Sequence, residues 1–164
     1  MQVWGRTPTH VNEFKEEMTK DGWIVQSAST INDLLYSCEL IITTTSSRNP
    51  LLGIDLDEKQ IKKGGQHITC IGADATGKIE LDPILVAKAD LLVADSRLQT
   101  EERGEFELAI SKEMIKLNEV VELGELIESV DLHRGEDDRL TIFDSSGVAV
   151  QDCVVAKMVF DTLK

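Results

Sequence analysis

A carboxylate and an ammonium group stand four residues apart in this sequence, at Asp74 and Lys78. Gly72 precedes the pair and Gly77 lies within it, and glycine lets a backbone approach a ligand closely. A carboxylate beside an ammonium can hold a proton, or pass one, at a substrate nitrogen. The same spacing also suits a surface ion pair that contributes little to stability. Asp74 is therefore the first candidate for a catalytic acid or base.

Small, hydroxylated and charged side chains follow the apolar runs of the sequence. The segments concerned are 5–7, 43–47, 72–78, 95–97 and 144–147. If the apolar runs are parallel strands of an open sheet, a ligand is expected beyond their carboxyl ends, where these segments would meet. Such residues suit phosphate, ribose or a small polar substrate, although they also serve simply in turns and helix caps.

Short β-branched runs and helical stretches alternate along the chain and would position these segments. We predict strands at 2–4, 23–26, 40–43, 67–72, 91–94 and 140–143. We predict helices at 8–21, 31–35, 57–61, 83–88, 105–110, 123–130 and 147–163. The strand at 40–43 is fully apolar, which predicts cover on both faces. The segment 147–163 is apolar on most sides, which predicts a buried closing helix.

This alternation predicts an α/β fold: a doubly wound parallel sheet with helices on both faces. The sequence holds no internal repeat and no low-complexity linker, so we expect a single domain over 1–164.

The composition excludes several classes of function. Lys and Arg total 17 against 30 Asp and Glu, and a net charge of −13 argues against nucleic acid or an anionic membrane as partner. We find no transmembrane run and no signal-peptide pattern. Cys38, Cys70 and Cys153 are far apart, which predicts reduced thiols in a cytoplasmic protein, with Cys70 buried. Cysteines and histidines are too scattered to predict a metal site.

Arg6 suggests which phosphate-bearing ligand such a fold would take. A Rossmann domain that prefers NAD usually has an acidic residue at the end of its second strand, against the ribose 2′-hydroxyl. Here Gly5 is followed by Arg6 and Thr7, whose guanidinium and hydroxyl suit a 2′-phosphate instead. The alternative is an ordinary exposed arginine before a helix.

Several motifs taken together resemble the ornithine cyclodeaminase and mu-crystallin family. They are VWGRTP at 3–8, IITTT at 41–45, HITCIGAD at 67–74 with Gly77 and Lys78, ELGE at 122–125, and TIFDSSGVA at 141–149. The resemblance implies a Rossmann-type domain that binds NAD or NADP. It also implies NAD(P)-dependent metabolism of an amino acid or cyclic imine, of the ornithine cyclodeaminase, ketimine reductase or alanine dehydrogenase type.

The same resemblance implies roles for individual residues. Asp74 corresponds to the family's acid/base aspartate at the substrate, and Ser146 lies where a neighbouring residue touches substrate. The implied cofactor contacts are Arg6, Thr7, Thr45, Ile68, Thr69, Cys70, Ile71, Lys78 and Ser145. Arg6 favours NADP over NAD, and the run at 68–71 would line the nicotinamide side.

The sequence departs from the family pattern before its first predicted strand. It contains no G-x-G-x-x-G or G-x-G-x-x-A turn to receive a pyrophosphate. We therefore expect a single, partial NAD(P)-binding domain, without the family's N-terminal dimerisation and substrate domain. The absent strand would be central, so we expect residues 2–5 to pair with the strand at 67–71 or to borrow an edge from another copy.

Two hypotheses from different classes follow. In the first, the chain is the NAD(P)-binding part of an enzyme of amino acids or cyclic imines, self-associating as a homo-oligomer but inactive as this fragment. In the second, it is a non-catalytic remnant of that family, which binds a nucleotide weakly or binds another protein.

Overall fold

The computed structural model describes residues 1–56, 65–129 and 139–163. Its strands are β1 (Gln2–Val3), β2 (Gln26–Ser27), β3 (Leu40–Thr43), β4 (Gln66–Cys70), β5 (Leu91–Ala94), β6 (Val120–Glu122) and β7 (Leu140–Asp144). Its α-helices are α1 (Pro8–Lys20), α2 (Asn32–Ser37), α3 (Pro83–Val86), α4 (Arg97–Glu102), α5 (Glu107–Ser111), α6 (Leu123–Glu128) and α7 (Ala149–Thr162). The predicted helix at 57–61 lies outside the described residues.

Five of these strands form one parallel sheet in the order β3-β4-β7-β5-β6. β4 and β7 lie in its interior, with Ile68 opposite Ile142 and both side chains fully buried. Apolar residues at these positions favour strands that are covered by helices. The predicted parallel α/β fold is confirmed.

The core fills the space between this sheet and the helices α2, α3 and α5. Its largest fully buried side chain is Phe106, which precedes α5, and it includes Leu35 of α2 and Leu85 of α3. The side-chain amide of Gln66 donates to the carbonyl oxygens of Leu35 (3.1 Å) and Cys38 (2.6 Å). α2 is thereby fixed against the start of β4.

The predicted pairing of residues 2–5 with the strand at 67–71 is wrong. β1 does not join β4: it pairs in parallel with β2, with Gln2 opposite Gln26, as a separate two-stranded sheet. The outer neighbour of β4 is β3. β2 is close to β1 in the sequence, so pairing with β2 costs less loop-closure entropy than pairing with a distant strand would.

The closing helix is also not buried as predicted. Every residue of α7 that the structure describes is exposed, including Val154 and Met158, so the described part of the chain does not bury this helix. β3 was expected to be covered on both faces, yet Leu40 and Ile42 are 59% and 58% exposed. Both predictions assumed that apolar residues are buried by other parts of the same chain.

Other differences concern short elements. The strand predicted at 23–26 is displaced to Gln26–Ser27, and the helices at 83–88 and 123–130 are shorter than predicted. β6 and α4 were not predicted, because three or six residues carry too little periodicity. Within the described residues, no helix is long and apolar enough to cross a membrane.

Candidate functional site

The carboxyl ends of β3, β4, β5 and β7 place the predicted loop segments along one edge of the sheet. Direct hydrogen bonds connect the loops. The Ile79 amide donates to the Ser47 carbonyl oxygen at 2.9 Å, and the Ser145 amide donates to the Cys70 carbonyl oxygen at 2.9 Å. The segments after β3, β4 and β7 therefore form one continuous surface, which we call the rim.

Asp74 and Lys78 meet at the rim as an ion pair. The Lys78 Nζ donates to Asp74 Oδ1 at 2.5 Å, and the Asp74 side chain is 61% exposed. The hydrogen bond and the charge of Lys78 hold the pKa of Asp74 below its ordinary value, and the charge of Arg103 acts in the same direction. At neutral pH, Asp74 is therefore an accessible carboxylate that can accept a proton from a ligand.

Glu80 holds the rim together from below. Its buried carboxyl group accepts hydrogen bonds from the Thr43 hydroxyl (2.7 Å), the Thr45 amide (2.5 Å) and the Gly72 amide (3.0 Å). The fit at Gly72 is tight, since a Cβ there would lie 2.4 Å from Glu80 Oε2. One side chain thus fixes the end of β3 to the loop that carries Asp74.

A second buried carboxyl group supports Glu80. Glu105 accepts the Glu80 amide at 2.9 Å and the Leu81 amide at 2.8 Å. Burial raises the pKa of Glu105 to about 8, against the lowering effect of these amide donors, and nearby charges on Glu80 and Asp144 raise it further. Glu105 is therefore mainly protonated at neutral pH.

Asp144, at the end of β7, is the third buried acid beneath the rim. Its Oδ2 accepts the Thr100 hydroxyl at 2.6 Å, whereas its Oδ1 is buried without a hydrogen-bond partner. Burial raises the pKa of Asp144 to about 6. Gly104 has a φ of +107°, and a Cβ there would lie 2.3 Å from Asp144 Oδ2, so this close approach requires glycine.

Arg6 and Thr45 line the same pocket. Its volume is about 140 Å³, and its other lining residues are Trp4, Ser46, Ser47 and Leu51. Arg6 is exposed, and the hydroxyls of this set supply further hydrogen-bond donors. Thr7 begins α1 as its N-cap and is absent from the pocket lining.

Ser145 and Ser146 are brought together by Asp95, which belongs to the predicted segment 95–97 but was not assigned a role of its own. Its two carboxylate oxygens accept the hydroxyls of Ser145 and Ser146, each at 3.3 Å, and the amide of Gly147 at 2.7 Å. Asp95 follows β5 directly, so it fixes the loop after β7 to the end of the neighbouring strand.

Gln99 and Arg103 extend this cluster along α4. The Ser146 hydroxyl contacts Gln99 Oε1 at 3.2 Å, and that oxygen also accepts from Arg103 Nη2 at 2.6 Å. The charge of Arg103 also lowers the pKa of Asp74, to a smaller extent than Lys78 does.

The run at 68–71 is split between the core and the rim. Ile68 and Cys70 are fully buried, which confirms the prediction for Cys70, and burial raises the pKa of its thiol. Thr69 is partly buried, and its hydroxyl pairs with a ring nitrogen of His67 at 3.1 Å. Ile71, just past β4, is 49% exposed and reaches the rim.

Sequence reasoning missed Glu80, Glu105, Gln99 and Arg103. Glu80 and Glu105 act through burial, and Glu105 and Gln99 act through partners distant in sequence, Glu80 at 25 residues and Ser146 at 47, which no local pattern records. Asp95 carried one usable signal, its position immediately after an apolar strand.

The donors at the rim fit one end of a dinucleotide. Arg6 is a cation in a chain of strongly negative net charge, and hydroxyls surround it, which suits ribose and a phosphate. The sequence holds no glycine-rich turn for the pyrophosphate. The fit is therefore specific to the ribose-phosphate end.

Known proteins share this sequence and this fold. The chain is 40% identical to the alanine dehydrogenase of Archaeoglobus fulgidus over 125 residues, which are 76% of this chain and 37% of that protein. A solved archaeal alanine dehydrogenase dimer with bound NAD matches 98% of this chain and 48% of its own, at a TM-score of 0.85 and 32% identity. The Paracoccus denitrificans iminosuccinate reductase in complex with NAD⁺ matches equally well, at 0.85 and 32%, over 98% of this chain and 47% of its own.

These solved structures are Rossmann-type, so the predicted fold class is confirmed. The chain spans less than half of the length of each of these relatives. Residues 1–164 match the ornithine cyclodeaminase/mu-crystallin family along their whole length. The chain belongs to the ornithine cyclodeaminase/mu-crystallin family.

Proposed function

We propose that residues 1–164 are the NAD(P)-binding and proton-transferring part of an oxidoreductase or cyclodeaminase of amino acids or cyclic imines. The observation that carries the proposal is the accessible Asp74–Lys78 pair, on the same rim as the pocket of Arg6 and Thr45. The named activities of the relatives, alanine dehydrogenase and iminosuccinate reductase, support the substrate class.

Asp74 is the proposed catalytic acid/base. When bound, the dinucleotide accepts or supplies a hydride at the substrate carbon. Asp74 holds and moves the proton at the substrate nitrogen, and Lys78 keeps its carboxyl ionised between transfers. Ser146, buried and linked to Asp95 and Gln99, is a proposed substrate contact that is already oriented.

The proposed cofactor contacts are those of the rim and the strand beneath it. Arg6 and Thr45 would hold the adenosine ribose or its 2′-phosphate, with Thr7 beside them, and Arg6 favours NADP. Ile71 and Lys78 would lie toward the nicotinamide side, where Ser145 completes the contacts. Ile68, Thr69 and Cys70 support that surface from β4 and the core.

We further propose that this chain does not turn over substrate alone. The pyrophosphate has no glycine turn in the sequence, and no cationic clamp for a substrate carboxylate is evident in it. Part of the site then comes from another polypeptide segment. We also propose a homo-oligomer, in line with the solved archaeal alanine dehydrogenase dimer.

Nucleotide titration followed by tryptophan fluorescence tests the proposal directly. The chain has two tryptophans, and Trp4 lines the Arg6 pocket whereas Trp23 is 54% exposed. In a Trp23→Phe variant, NADPH should quench the remaining emission in a saturable way. The matched Trp4→Phe variant should show no saturable change. A linear, non-saturating response in both variants would contradict nucleotide binding at this rim.

A further inference from the structure

The hydroxyl of Ser146 faces more acceptors than it has protons to give. It contacts Asp95 Oδ1 at 3.3 Å and Gln99 Oε1 at 3.2 Å. The Gln99 atom must be the amide oxygen, because it faces Arg103 Nη2 at 2.6 Å and an arginine side chain only donates. A hydroxyl has a single proton, so the two oxygens share it. The proton of Ser146 is therefore used within the protein.

Asp95 orients the neighbouring hydroxyl in the same way. Its Oδ2 accepts the Ser145 hydroxyl at 3.3 Å and the Gly147 amide at 2.7 Å. Among the described residues, no lysine or arginine forms an ion pair with Asp95. Each serine oxygen thus keeps lone pairs for a ligand but no proton, beside a carboxylate that no ion pair neutralises. The loop after β7 therefore offers acceptors to a ligand and favours a positive charge.

This loop is the immediate neighbour of the loop that carries Asp74. Cys70 and Asp144 stand opposite each other at the ends of β4 and β7. The amide of Ser145 donates to the carbonyl oxygen of Cys70 at 2.9 Å, which joins the two loops where they begin. Asp74 is itself an exposed carboxylate and hence an acceptor. A ligand nitrogen that contacts both Asp74 and Ser146 meets two acceptors.

We propose that Ser146 accepts a hydrogen bond from the substrate nitrogen, and that the site therefore selects a nitrogen with at least two N–H groups. The inference rests on the proposed function, in which Asp74 and Ser146 both contact the substrate. One N–H group is directed to Asp74, where the proton is transferred, and the other is directed to Ser146.

This requirement separates the two substrate classes at the stage of the imine. The iminium of an acyclic 2-oxo acid has two N–H groups and satisfies both acceptors. A protonated cyclic imine has one N–H group, so it leaves the Ser146 oxygen without a donor, which costs affinity. The substrate class is therefore an acyclic 2-amino acid and its imine.

Cations of equal charge that differ in their N–H groups test the proposal on the purified chain. tert-Butylammonium has three N–H groups, trimethylammonium has one, and tetramethylammonium, close to tert-butylammonium in size, has none. In an NMR titration of the ¹⁵N-labelled chain at constant ionic strength, tert-butylammonium should shift the Ser146 and Gly147 amide resonances in a saturable way. Its affinity should exceed that of each other cation by about fivefold or more, because the others make fewer hydrogen bonds.

Variants of Ser146 assign the difference to its oxygen. Ser146→Ala removes the acceptor and should abolish the difference in affinity between the cations. Ser146→Thr keeps a hydroxyl and should retain the difference, which separates the loss of an acceptor from a change in folding. Ser111→Ala is the matched control, because it removes an exposed hydroxyl on α5 that donates to the Leu108 carbonyl oxygen.

Three results would overturn the proposal. One is equal affinity for the three cations, which would reduce the effect to charge. Another is a response of the two amides to acetate and not to tert-butylammonium, which would show that the Ser146 hydroxyl donates. The third is no response to any of the cations. NADPH titration tests the proposed function at the Arg6 pocket with a different ligand, so the two proposals can fail separately.

Discussion

Arg6 is the residue that should separate the two dinucleotides. Its guanidinium lies in the pocket of Thr45 and can pair with a 2′-phosphate, which NADH lacks. We expect Arg6→Ala to weaken NADPH binding by roughly 1–3 kcal/mol and to leave NADH nearly unchanged, as measured by titration. Lys20→Ala is the matched control, since α1 carries Lys20 about 20 Å from Arg6 over its 13 residues. An equal loss of affinity for both dinucleotides in Arg6→Ala would contradict the proposed pairing of Arg6 with the 2′-phosphate.

Asp74 should control turnover without controlling cofactor binding. In an assembled enzyme that contains residues 1–164, we expect Asp74→Asn to lower turnover by a factor on the order of 10² or more, with NADPH affinity unchanged. Asp161→Asn is the control, because Asp161 forms the same kind of exposed four-residue ion pair, with Lys157 at 2.7 Å. Turnover that survives in Asp74→Asn would reduce Asp74 to a surface ion-pair partner.

Glu105 makes stability depend on pH. Its folded pKa of about 8 lies above its ordinary value of 4.5, so the folded state binds the proton more tightly. The contribution of Glu105 to the free energy of unfolding is therefore complete below pH 4.5 and is lost as the pH rises toward 8. The contribution of Asp144 is lost in the same way between pH 3.8 and about 6. We expect the free energy of unfolding in urea to fall by an amount on the order of 3 kcal/mol between pH 5 and 8.

The Glu105→Gln variant isolates that effect. Glutamine keeps an acceptor for the Glu80 and Leu81 amides but does not titrate, so the pH slope should be much smaller. Glu128→Gln, at an exposed position, should retain the slope of the unmodified chain. If Glu105→Gln and Glu128→Gln show identical slopes, the pH dependence has another source.

At the scale of elements, Glu80 is the connection between β3 and the Asp74 loop. Glu80→Ala leaves the Thr43 hydroxyl and the Thr45 and Gly72 amides without their acceptor. Unsatisfied buried donors cost about 1–3 kcal/mol each, so we expect the free energy of unfolding to fall by about 3 kcal/mol or more. Hydrogen exchange should accelerate at Thr45 and Gly72, whereas Glu128→Ala should change neither quantity. Unchanged exchange at both amides would show that other contacts hold the rim.

Elements were predictable from sequence where an apolar run and its burial coincide. β4, β5 and β7 follow apolar runs that the sheet does bury, and α1 follows a proline start. α7 has the same apolar character yet is exposed. An apolar sequence indicates that a helix would be stabilised by burial, but it does not indicate which surface buries it. At the rim, Asp74 and Lys78 were predictable because their spacing is local. Glu80 and Glu105 were not, because burial alone gives them their role.

At the scale of the whole molecule, the described strands form two separate sheets and the closing helix is exposed. The chain carries the residues proposed to hold the ribose-phosphate and to move the proton, while the described residues of α7 and the apolar side chains Leu40 and Ile42 of β3 are exposed. Since it spans less than half of the length of its relatives, we expect those open surfaces to receive the remainder of the site.

The most direct test of this account is a hydride-transfer assay on purified residues 1–164 by nicotinamide absorbance. The assay supplies NADPH with a cyclic imine, or with a 2-oxo acid and ammonium, at concentrations where fluorescence titration reports bound NADPH. The account predicts a rate equal to that without protein, because positioning of the substrate, a large part of catalysis, is missing. Saturable hydride transfer by this chain alone would contradict it.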